Sequence, residues 1–319
     1  MLKNRLLILI AAGVALVVIL AGALATAGLI SRGESFELSD RQVEELGLDH
    51  WSPMERWAFG KMREVPGGEV AFADFAGDGP MSISPRYIRD ILDLGTGLDG
   101  TGAVGLNFNG AVIQGDLDMG GRQLDFLRLV GTTIGGKLAL ADVRISSKDD
   151  LEGSGDIVIW DVSVGGIADF ANVKAGDIAI TGLEGASFVL LSGAEARSIM
   201  MSESYGFDLV AVLRAKVKGD FVIRDVELAT DLVLQGLSAR SMAFENMKVG
   251  GQFDGVGMVV DGDVLLAGVD VGQELILSSS AFGGDLIAED SVVARSALTD
   301  ATVGGVRRIK ISRRDASGS

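Results

Sequence analysis

Between residues 249 and 286 one five-residue unit is written four times: Val249-Gly250-Gly251-Gln252-Phe253, Val260-Asp261-Gly262-Asp263-Val264, Val271-Gly272-Gln273-Glu274-Leu275 and Phe282-Gly283-Gly284-Asp285-Leu286. Each copy has an apolar residue at both ends and, in three of the four, Gly at the centre. Upstream the unit recurs as Ile113-Gln-Gly115-Asp-Leu117, Ile134-Gly-Gly136-Lys-Leu138 and Val217-Lys-Gly219-Asp-Phe221, with a degenerate copy at Leu228-Ala-Thr230-Asp-Leu232; downstream it ends truncated, at Val303-Gly-Gly305-Val306. The central positions 219, 230, 251, 262, 273, 284 and 305 are separated by 11, 21, 11, 11, 11 and 21 residues, and Gly115, Gly136, Gly155 and Gly176 by 21, 19 and 21. The period is about 10.6, with a stronger double at 21. A fixed period near 20 in short runs such as Asp231-Leu-Val-Leu234 and Asp263-Val-Leu-Leu266 predicts a solenoid.

In such a coil, alternate residues point inward, and Gly supplies the positive-φ corner where the chain turns to the next face. Equivalent positions stack about 4.8 Å apart, so nine or ten coils over residues 106–306 make a rod of roughly 45 Å. A globular sandwich has no reason to keep one register for so long. The expected fold is mainly β: a single-stranded β-solenoid of about 21 residues per coil, preceded by a transmembrane helix and a short helical neck or cap.

Gly115-Asp-Leu-Asp-Met119, Gly135-Gly-Lys-Leu-Ala-Leu140 and Gly283-Gly-Asp-Leu286 resemble the coils of bacterial pentapeptide-repeat-like β-solenoids and, more loosely, of bactofilins. The resemblance covers about two thirds of the chain and implies a β-solenoid; the bactofilin likeness further implies a polymerising subunit. The chain departs from both, because the Ala-(Asp/Asn)-Leu-x-x period of five is not held. Bactofilins are also cytoplasmic filament formers with shorter coils, generally without a spanning helix.

Composition narrows the classes. With 48% hydrophobic residues the chain is not a disordered one, and without Cys it has no disulfide framework, thiolate metal site or thiol chemistry. Its 45 Gly are roughly double the average usage, without a collagen period. The run from Leu6 to Ile30 carries no charge and is long enough to span a bilayer. Lys3 and Arg5 precede the run, while Glu34, Glu37 and Asp40 follow it, which orients the N-terminus to the cytoplasm and the solenoid to the periplasm or exterior. Ala25-Thr26-Ala27 offers the rival reading of a signal peptide cleaved after Ala27. The net charge is −16, and residues 6–306 alone carry −22, because Lys3, Arg5 and a basic tail from Arg307 offset part of it. Such a body repels nucleic acid.

The neck is expected to hold three helices. Ser39 and Gln42 cap one over Asp40–Leu46; Ser52, Pro53 and Glu55 start a second, through Met62; Ser84-Pro85 starts a third with Tyr87, Ile88, Ile91 and Leu92 on one side. The domains are therefore 1–31 (anchor or signal sequence), 32–105 (neck and Gly-rich hinge), 106–306 (solenoid) and 307–319 (basic disordered tail).

Little in the chain suggests catalysis. His50 is the sole imidazole, which excludes multi-histidine metal sites. Gly95-Thr-Gly97-Leu-Asp-Gly100 matches a dinucleotide-binding fingerprint, but follows a predicted helix rather than a strand and reads as hinge. Asp116 with Asp118, and Asp261 with Asp263, are i, i+2 pairs able to hold Ca²⁺ or to cleave sugars, yet Asp follows the corner at coil after coil, as a solvated corner residue does. The expectation is a non-catalytic, membrane-anchored scaffold of the bacterial cell envelope with no catalytic residue, cofactor or metal. Its expected partner is a protein on a solenoid face or end, and its oligomeric state stays open. The alternatives are an envelope polysaccharide-binding or -cleaving β-helix and a bactofilin-like polymer subunit.

Overall fold

The computed structural model describes residues 43–44, 47–64, 69–75, 82–94, 104–145 and 155–313. The apolar run 6–30, most of the helix expected over 40–46, and the Gly95–Gly100 motif lie outside the described residues. Among the described residues, no helix is long and apolar enough to cross a membrane.

The chain forms a β-solenoid of about nine turns in which every strand pairing among the described residues is parallel. On the longest face, Leu106 is followed in register by Leu127, Ile157, Ile178, Ile199, Phe221, Met242, Val264, Leu286 and Arg307. We call this face 1. Face 2 holds Leu228, Val249, Val271 and Val293; face 3 runs from Leu117 through Leu138, Ala168, Val189, Val210, Leu232 and Phe253 to Leu275; face 4 holds Ala239, Val260, Phe282 and Val303. From Leu106 to Leu286 every one of these named residues is buried, so strand alternation builds a continuous apolar core.

Four sides explain the two periods. The repeated unit occupies two different corners of one coil. Gly115–Gly136 and Thr230–Gly251–Gln273 stack between faces 2 and 3, whereas Gly155–Gly176 and Gly262–Gly284–Gly305 stack between faces 4 and 1. Each coil is thus two similar halves, and only the full coil restores the position. Gly155 therefore does not follow Gly136. Gly166 does, because the step from Leu127 to Ile157 is 30 residues while most others are 21 or 22, and the extra residues fall at 146–154, outside the described ones.

Of the motif glycines, Gly115 has the expected positive φ, +103°, but others work differently. Gly136, Gly176, Gly251 and Gly284 do not have positive φ. Most left-handed residues form two other columns at the remaining corners: Gly110, Gly131, Asp161, Gly182, Glu203, Asp225, Asn246, Gly268 and Asp290, and Gly121, Asp142, Asn172, Gly193, Arg214, Gly236, Gly257, Ser279 and Asp300. Asp and Asn share these columns because their short polar side chains tolerate this conformation.

The neck closes the first coil. Helix α1 (Pro53–Glu64) and helix α2 (Pro85–Leu94) start where the sequence places them. Tyr87, Ile88 and Ile91 are buried on one side of α2, and Leu92 is partly buried. Val70 and Ala71 add a parallel rung outside Phe108 and Asn109, and Ile83 bridges to Ile113. Phe72 meets Phe108 edge-on at 5.4 Å.

Both domain boundaries shift. The first solenoid strand, Val104–Asn109, already includes Gly105, beyond the hinge boundary expected from the sequence. At the other end Arg307–Arg313 is a strand paired with Leu286–Ala297, which corrects the disordered tail over these residues. Ile309 and Ile311 are half-buried while Arg308 and Lys310 between and beside them are exposed, so ordinary strand alternation underlies the run of basic residues.

Candidate functional site

The carboxylates that follow the corners bond from coil to coil. Asp116 Oδ1 accepts the backbone N–H of Lys137 at 2.8 Å, and Asp156 Oδ1 that of Asp177 at 2.9 Å. Asp231, Asp263 and Asp285 do the same for Gln252, Asp285 and Val306 at 2.7, 2.8 and 2.7 Å. Each of these carboxylates lies over the next coil's glycine: a Cβ on Gly136, Gly176, Gly251, Gly284 or Gly305 would collide with the Oδ1 of Asp116, Asp156, Asp231, Asp263 or Asp285. In these five pairs the unit is reciprocal, since the Asp of one coil leaves room only for Gly in the next, whereas Arg197 and Arg240 stand in the coils after Asp177 and Asp220. Burial, and then the neighbouring Asp177 carboxylate, raise the Asp156 pKa; the bond from the Asp177 N–H opposes them.

On face 1 the Asp177 carboxylate is also paired with the Arg197 guanidinium and accepts the Ser198 hydroxyl at 2.7 Å. On face 4 Lys174 and Lys216 flank Glu195 at 3.2 and 3.8 Å, and the Lys174 bond lowers the Glu195 pKa.

A second polar cluster ties the cap together. Ser52 Oγ accepts the N–H of Glu55 at 3.2 Å, and Glu55 Oε2 accepts the N–H of Ser52 at 2.7 Å, the capping box read from the sequence. The buried Glu55 carboxylate also accepts the N–H and hydroxyl of Ser84, each at 2.7 Å, and Ser84 Oγ in turn caps Tyr87. One carboxylate thus joins the starts of both helices. Burial, helped by Glu55, pushes the Tyr87 phenol well above its ordinary pKa. Nearby, Asp90 Oδ2 receives Trp51 Nε1 at 2.9 Å and lies 2.7 Å from His50 Nε2. Partial burial raises the Asp90 pKa, but the bonds from Trp51 and His50 outweigh it and hold the carboxyl below its ordinary value. His50 is a partner of this cap.

A shallow hollow of roughly 340 Å³ is lined by Pro85 and Arg89 of α2 and by Asp116 and Asp118. Both acids are exposed and both already accept backbone N–H groups, Asp118 that of Gly120 at 2.9 Å. Asp261 and Asp263 are likewise exposed on either side of Gly262, at the corner leading to face 1. Among the described residues, no group of three or more His, Asp or Glu could hold a metal ion.

The outer surface carries apolar rows that sequence reading missed. Val158, Ala179, Met200, Val222, Ala243, Leu265 and Ile287 follow one another in register along the outside of face 1. On face 3 Ile167, Phe188 and Leu209 form another row, beside Leu190, Ala211 and Val233. Apolar residues on both sides of a strand leave no alternation to mark which side faces out, and only the register separates the two. Compared with protein families, curated proteins and solved structures, the chain matches none of them.

Proposed function

We propose that this protein is a non-catalytic, membrane-anchored scaffold of the bacterial cell envelope, held by residues 6–30 with its solenoid outside the cytoplasm. The observation that carries this reading is the use made of the carboxylates: the acids best placed to act on a ligand are spent as acceptors for the next coil's backbone. The polysaccharide alternative needs a groove that combines several acids with an aromatic platform, whereas the hollow at Arg89 joins two acids to Pro85. The likeness to pentapeptide-repeat-like and bactofilin-like solenoids is read as a shared coil design. Partners would read flat faces rather than a cleft, and the net charge of −16 favours cationic ones.

The absence of Cys supplies a direct test. Val259, 49% exposed on face 4, is replaced by Cys in the full chain, and intact cells with permeabilised outer membranes are treated with a membrane-impermeant maleimide. Labelling without lysis, together with retention in the membrane fraction after alkaline carbonate, is the expected result. Labelling only after lysis would overturn the reading.

A further inference from the structure

We infer that the outer side of face 4, over the four coils from Lys174 to Arg240, is a binding surface for a linear phosphate polymer. Face 4 is narrow, with strands of two residues, and its outward column runs Arg144, Lys174, Glu195, Lys216 and Ser238. Both corners add cations. Arg214 stands where face 3 turns into face 4, and Arg197, Lys218 and Arg240 stand in three consecutive coils where face 4 turns into face 1. Lys174, Arg197, Arg214, Lys216, Lys218 and Arg240 are all exposed. These cations crowd four coils of a chain in which 44 Asp and Glu outnumber 28 Lys and Arg.

The acids nearby do not cancel this charge. Glu195, inside the patch, is shared by Lys174 and Lys216 at 3.2 and 3.8 Å, and Lys218 also acts on it. At the edges Asp177 is paired with Arg197, Asp220 accepts the Ser241 hydroxyl at 2.6 Å, and Asp169 accepts the N–H of Ala171 at 2.9 Å. Even with all four acids counted, the cations are in excess. Like charges stacked one rung apart repel, and an anion laid over them relieves the repulsion. The guanidinium groups of Arg197, Arg214 and Arg240 suit phosphate oxygens, which they can grip with two N–H groups at once. Charge also sets the shape of the ligand. Four rungs at about 4.8 Å span roughly 14 Å, and the coils beyond carry exposed Asp142 on one side and Asp261 on the other. A broad anionic surface such as a membrane would press against these acids, whereas a thread of phosphates lies between them.

The test is binding of the full chain, purified in neutral detergent, to fluorescently labelled inorganic polyphosphate across a series of salt concentrations. Binding is expected, with an affinity that falls as salt rises. Lys216→Gln combined with Lys218→Gln, both at exposed positions, should weaken it about tenfold and lower the salt slope by about two, one for each lost contact. Glu195→Gln removes the carboxylate between the lysines and should tighten binding about threefold. Arg308→Gln combined with Lys310→Gln, in the strand Arg307–Arg313, should leave it unchanged. No binding by the parent chain would overturn the proposal, as would a loss confined to the Arg308 and Lys310 variant or an affinity indifferent to Glu195→Gln. Binding to phosphatidylglycerol vesicles but not to polyphosphate would make the ligand a membrane and overturn the assignment to a polymer. The readout is on purified protein, so its failure is distinct from failure of the maleimide test of location.

Discussion

At the scale of single residues, glycine has two separate uses here. Gly251 is needed because of what lies above it: a Cβ there would collide with Asp231 Oδ1 and approach Thr230 O to 3.0 Å. Gly257 has φ +69° and nothing within 4 Å of such an atom, so its requirement is conformational. Gly251→Ala is accordingly expected to cost about 2 kcal/mol as an overpacked site, and Gly257→Asn only a few tenths, since Asn tolerates the left-handed region. Thermal or denaturant unfolding checks both. The Gly251→Ala loss should shrink when Asp231 is also replaced by Ala, because the carboxylate that it strikes is gone; full additivity in that double-mutant cycle would mean that the two do not interact. The sequence shows the recurrence of Gly and Asp clearly. It does not show that the Asp of one coil sits on the Gly of the next, because the partners are about 20 residues apart.

At the scale of elements, the cap is where charge stabilises structure. Asp90 holds Trp51 and His50 against α2, and its folded pKa lies below its ordinary 3.8. The sign follows: its contribution to stability is present above the ordinary value and is lost as pH falls through the lower, folded value. Asp90→Asn should therefore lower stability at pH 7 by about 1 kcal/mol, a typical net worth for such hydrogen bonds. The gap between variant and parent should close in strongly acidic buffer, as read by tryptophan fluorescence during unfolding. Helices α1 and α2 were legible because Ser52, Glu55, Ser84 and Pro85 are local signals. The bond from Ser84 to Glu55 was not, since it joins residues 29 apart.

At the scale of the whole molecule, Arg307–Arg313 is the last rung among the described residues. A parallel stack with an open last rung is a template for another strand, and proteins blunt such edges with charge. Arg307 stands in the buried column that runs from Leu106 to Leu286, yet is itself exposed. Its cation interrupts the apolar column at the last rung, and Arg308 and Lys310 add to it. Growth end to end through this rung, as in the bactofilin-like alternative, would have to accommodate that cation. Arg307→Leu, which extends the apolar column to the last described rung, should produce larger species in sedimentation velocity, increasing with concentration, under conditions where the parent chain shows none.

The sequence by itself determined the periodic features: a repeat of 10.6 doubled to 21, a mainly β solenoid, and the starts of two capping helices. These are readable because hydrophobic alternation, Gly recurrence and helix caps act between neighbours along the chain. Only the tertiary structure decided that the coil has four sides, that the two columns of repeated units occupy different corners, that nine extra residues enter near 146–154, and that Arg307–Arg313 belongs to the rod. Each of these depends on which residues stack across coils. That register is set by the simultaneous fit of many buried positions and by hydrogen bonds between segments about 21 residues apart, and no local pattern specifies it.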